Sequence, residues 1–136
     1  MTTALLLRIA SVLSFLFAAG HSLGGRKDWS PVEENATFTA MRTFRFEAMG
    51  VNRSYLDFYL GFGFTISVFL LLQAVVLWQL AGLAKAGPSP YRPMIAAFAI
   101  ASLACALLSW RFIFPIPMIF SVVLGATLLA ACFTSR

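Results

Sequence analysis

Residues 56–83 read LDFYLGFGFTISVFLLLQAVVLWQLAGL, and after Asp57 the run holds no charged side chain. A helix needs about 20 apolar residues to cross the hydrocarbon core of a bilayer, within a range of about 17–25. This run is long enough to tilt or to project beyond the core. Hydrocarbon offers an open backbone no hydrogen-bond partners, so the run must be helix rather than strand. Three further blocks share its character, at about residues 3–20, 94–110 and 115–133. The fold expected is therefore all-α, an integral membrane four-helix bundle forming one domain over residues 1–136.

Composition agrees. Of the 136 residues 60% are hydrophobic and 11% charged, against about 25% charged in an average soluble domain. The formal charge is +5, but the basic residues are scattered between apolar blocks. Anionic lipid headgroups, rather than nucleic acid, are the partners such a pattern suits. The first block is read as a retained span and not a cleaved leader, because the following GHSLGG continues with small residues suited to helix packing. Gly87-Pro88-Ser89-Pro90 interrupts the chain between the second and third blocks, and Pro115 and Pro117 open the fourth. Tyr55, Tyr59 and Trp110 mark one membrane interface, and Trp78 and Tyr91 the other.

Four spans place both termini on one side. That side carries Arg8, Lys85, Arg92 and Arg136; the other carries Arg26, Lys27, Arg42, Arg45, Arg53 and Arg111. So narrow a margin leaves orientation undetermined. The location expected is the inner (plasma) membrane, multi-pass.

The first loop, about residues 22–54, is the only long one. Its segment EENATFTAMRTFRFEAM (33–49) puts Phe38, Met41, Ala48 and Met49 near one helical face, with Phe44 and Phe46 fitting less well. Ser30 as N-cap, Pro31 at the first helical position, Glu33 two residues on and a stop at Gly50 predict a short interfacial helix over about 31–50.

Arg53 and Asp57 stand four apart at the head of the second block. On one reading they end the span and cap it, with Asn52 or Ser54 assisting. On the other they belong to a polar pocket with His21, Glu47, Tyr55 and Tyr59, because ionisable groups near a membrane interior tend to mark sites. His21 is the only histidine. A contact with Asp57 would fix its tautomer and suit proton transfer. Zinc needs more ligands than this sequence offers at matched spacing. A single histidine cannot supply a paired-histidine haem ligation, and the cofactor is left unknown. Cys105 and Cys132 lack CxxC spacing and read as packing residues.

Small residues form Gly20-x-x-x-Gly24 and Ser121-x-x-x-Gly125, with Gly61 and Gly63 at the head of the second block. Such patterns let helices approach closely, within one chain or between copies. Gln73, in mid-span, needs a partner, for which Ser67, Ser102 and Thr127 are the candidates.

At GHSLGG (20–25) and FEAMGVNRSYLDFYLGFGF (46–64) the chain resembles a group of small four-helix bacterial membrane proteins. In plan it is also similar to DoxX-like proteins and to the four-helix domain of the emopamil-binding and sigma-2 receptor group. That group's sterol isomerases use acidic and aromatic residues in a membrane cavity, and those positions have no match here, so no catalytic role is carried over. The expectation is a structural or accessory membrane protein, alone with lipids, as a homo-oligomer or in a larger membrane complex. The alternative is a binder or isomerase-type enzyme for an isoprenoid, quinone or sterol-like molecule.

Overall fold

The computed structural model describes residues 2–28, 30, 32, 35–85 and 91–135. Four long helices dominate: α1 (Thr3–Gly24), α3 (Tyr55–Leu83), α4 (Arg92–Phe112) and α5 (Pro115–Thr134). Each is long and apolar enough to cross a membrane. The chain is all-α in class. The segment between α1 and α3 holds a 3₁₀ turn (Gly25–Lys27), a short helix α2 (Ala36–Thr43) and a hairpin of β1 (Arg45–Ala48) and β2 (Val51–Ser54). Two compact units form, one from residues 1–17 and 70–136, the other from residues 18–69.

The first unit owes its core to a repeated large–small pair. Leu7 and Ala10 on α1, Leu77 and Ala81 on α3, Ile95 and Ala99 on α4, and Leu128 and Ala131 on α5 are all fully buried. Positions three or four apart share a helix face, so each helix contributes one narrow stripe. Lipid tails are as apolar as leucine, so close packing and polar contacts, not escape from water, hold such helices together. The Ser11 hydroxyl donates to the Ala74 carbonyl at 2.7 Å, tying α1 to α3. At Gly125 on α5 an added Cβ would lie 2.9 Å from Leu103 Cδ2 and 3.6 Å from the Ala99 carbonyl oxygen, both on α4. The Ser121-x-x-x-Gly125 pattern thus serves contact within the chain. Gly20 and Gly61 face open space, where an added Cβ meets nothing within 4 Å.

The join between α4 and α5 follows from proline. Phe114 is extended (φ −142°, ψ 170°), as the residue before Pro115 must be, and Pro115 opens α5. Tyr91, the N-cap residue of α4, is buried among the core residues of this unit.

In the second unit the loop departs from the single helix expected over residues 31–50. Asn35, not Ser30, caps α2: its side-chain oxygen accepts from the Thr37 and Phe38 amides, each at 3.1 Å. Pro31 and Glu33 lie outside the described residues, as does the break at 87–90. The helix ends at Thr43 because Phe44, Phe46 and Ala48 alternate with Arg45 and Glu47, a strand period. Met49 (φ 53°) and Gly50 (φ 80°) then make a two-residue turn with both residues left-handed, the geometry that matches strand twist in a tight hairpin. Phe46 pairs opposite Arg53, and Glu47 opposite Asn52.

Candidate functional site

The hairpin is laid against the head of α3 by aromatic rings. Tyr55, the first residue of α3, stacks on Phe44 with ring centroids 5.6 Å apart. Its ring is 5.0 Å from that of Phe46. Phe46 continues to Phe58 at 5.4 Å, and Phe58 to Phe62 at 6.3 Å. The alternation of Phe44 and Phe46 along the strand and the four-residue step from Phe58 to Phe62 on the helix put these rings in one row.

Ser54 joins strand to helix. Its backbone N–H donates to Asp57 Oδ2 at 2.7 Å, and the Asp57 N–H donates to Ser54 Oγ at 3.1 Å. This reciprocal pair is a capping box, with aspartate in the place more often held by glutamate. Asp57 therefore satisfies a backbone donor that hydrocarbon would leave unpaired, and its negative charge sits at the positive end of the α3 dipole.

Arg53 belongs to β2, not to a helical turn shared with Asp57. Its Nη1 donates to the Asn52 carbonyl at 3.1 Å. Arg45 reaches across the hairpin, its Nε donating to Asn52 Oδ1. Arg53 and Asp57 nonetheless share a wall. With Val51, Phe58, Gly61, Phe62 and Thr65 they line an open groove of about 400 Å³. One cation, one carboxylate engaged in a helix cap and two phenyl rings make an amphipathic surface suited to holding a headgroup beside an apolar chain.

The other expected site residues go elsewhere. Glu47 is exposed and sits on the opposite hairpin face from Phe46. Tyr59 is exposed on α3. His21 lies within α1, which runs on to Gly24, and its Nδ1 is 3.0 Å from Ser67 Oγ. Ser67 is ten residues beyond Asp57, about 15 Å along α3 at 1.5 Å per residue. His21 and Asp57 thus stand at different levels, and the pairing expected between them gives way to His21–Ser67 and Asp57–Ser54. Ser54 caps α3 as its place before Asp57 suggests, whereas the aromatic row and the pairing of His21 with Ser67 are not evident from the sequence. The strand alternation of residues 44–48 is the trace the row leaves there.

Elsewhere in this unit Arg42 and Asp28 approach to 3.6 Å, both partly exposed, a pair worth about 0–1 kcal/mol. In the first unit Gln73 does not find the partners expected for it. Ser67 meets His21, while Ser102 donates to the Phe98 carbonyl and Thr127 to that of Val123. The buried Gln73 Nε2 has no hydrogen-bond partner among the described residues.

No family model, curated protein or solved structure matches this chain.

Proposed function

We propose that the chain is a structural or accessory subunit of a larger assembly in the inner (plasma) membrane, and that α3 is the helix through which it meets that assembly. One observation carries the reading. In its most apolar 18-residue window α3 is only 17% buried, against 39% for α1. This bare surface holds Phe62, Phe69 and Leu72, and at Gly61 and Gly82 the backbone is open to an approaching helix. The groups best fitted to acid–base work are meanwhile engaged locally: Asp57 with Ser54, His21 with Ser67.

Photo-crosslinking in native membranes tests this. A photoreactive residue replacing Phe62 or Phe69 is expected to give a discrete protein adduct, lost in the Gly61→Leu background. Adducts to lipid alone would contradict the reading.

A second reading rests on the groove beside Arg53. It would hold the headgroup of an apolar, lipid-like molecule, with Phe58 and Phe62 against the chain. Mass spectrometry of molecules that co-purify in mild detergent separates the two: a stoichiometric isoprenoid, quinone or sterol-like lipid, released by Arg53→Gln, would favour this one.

A further inference from the structure

We infer that Arg8 and Trp78 form a binding site for the phosphate of an anionic phospholipid in the leaflet on the side of the chain termini. Arg8 lies in the second turn of α1, five residues in from Thr3. That is about 7–8 Å along the axis, within the ~15 Å half-thickness of the hydrocarbon core. The guanidinium carbon lies 3.4 Å from the ring centroid of Trp78 on α3. This stacking covers one face of the guanidinium and leaves its N–H donors, which radiate in the plane, to find acceptors. Protein supplies them poorly: Nη1 is enclosed and has no hydrogen-bond partner among the described residues, and the edge of Arg8 that lines the groove is the part an outside anion can reach.

The charge distribution shows why. All five acidic residues, and five of the ten basic ones, fall within residues 18–69, so that unit is formally neutral. The unit containing Arg8 has no aspartate or glutamate at all and carries the entire +5. A guanidinium drawn into a membrane helix without a carboxylate calls for an anion from outside.

The surroundings select a lipid as its source. Arg8, Ile9, Val12 and Leu13 line an open groove of about 260 Å³ on α1, running from Arg8 toward mid-span. Helix side chains lean toward the N-terminus, so the Arg8 guanidinium is carried back toward the headgroup level. Headgroup phosphate at the guanidinium and acyl chain along Ile9 and Val12 is the arrangement one phospholipid supplies. A singly charged phosphate in solution offers the same anion without the chain.

Native mass spectrometry of the full chain in mild detergent tests the site with three probes. These are phosphatidylglycerol, phosphatidylcholine with the same acyl chains, and inorganic phosphate. Phosphatidylglycerol is expected to be retained about fivefold better than phosphatidylcholine, the worth of one basic residue beside an anionic surface. Arg8→Gln should erase that preference. Trp78→Leu, which keeps the charge but removes the ring, should reduce it, and Arg111→Gln should leave it intact. Equal retention of the two lipids by the unaltered protein would overturn the proposal without recourse to any variant, as would a preference that survives Arg8→Gln. Displacement of phosphatidylglycerol by millimolar inorganic phosphate would overturn the lipid as occupant.

Discussion

Ser54 and Asp57 exchange two backbone hydrogen bonds at the point where a strand becomes a membrane helix. An uncapped helix start is costly wherever water is scarce. Ser54→Ala removes the acceptor for the Asp57 amide and is expected to lower stability by about 1 kcal/mol, read as a lower midpoint in thermal unfolding in detergent. Asp57→Asn keeps an acceptor for the Ser54 amide but loses the charge at the helix dipole, so its midpoint should fall less. An Asp57→Asn protein that melts as the parent does while losing a bound ligand would instead assign the carboxylate to the groove. Residue-scale reading of the sequence went this far correctly: Ser54 was among the caps expected. For His21 the hydropathy misleads, because the apolar block thins out at residue 20 while the helix runs on to Gly24 and carries the imidazole to Ser67.

At the scale of elements, the four long helices were legible and the loop was not. Hydropathy fixes a span once its length matches the bilayer, and Pro115 fixes the start of α5. In the loop two periods compete. Phe38, Met41, Ala48 and Met49 mimic a helical face, whereas Phe44, Phe46 and Ala48 carry the strand alternation that prevails once Tyr55 and Phe58 offer rings to pack against. Met49-Gly50 lacks the asparagine or aspartate that usually announces such a turn. Met49→Asn should therefore slow hydrogen exchange of the hairpin amides, and Gly50→Ala, which places a side chain at φ 80°, should speed it. The glycines divide in the same way. Gly125→Val drives methyl groups into Leu103 and the Ala99 carbonyl and should cost about 1–3 kcal/mol. Gly61→Leu meets open space and should melt no lower than the parent while disrupting assembly. Equal melting losses for both would show that neither close approach nor open space governs these positions.

Taken whole, the molecule separates its charges along the sequence as sharply as its structure separates into units. The neutral unit holds every acidic residue, and the unit with the repeated large–small core holds the excess positive charge. Composition foretold membrane insertion, because a chain with 11% charged residues cannot clothe itself for water. It could not foretell which polar groups would meet, since Arg8 with Trp78 and His21 with Ser67 are set by helix register. Every functional reading above requires α1, α3, α4 and α5 each to cross the bilayer once, as their length and apolar character allow. Labelling of single cysteines by a membrane-impermeant maleimide, in a Cys105→Ala, Cys132→Ala background in intact cells and in inverted vesicles, tests the four crossings most directly. Thr37→Cys and Ile113→Cys are expected to label from one side only, and Thr2→Cys and Lys85→Cys only from the other. Labelling of all four positions from the same side would contradict the four crossings.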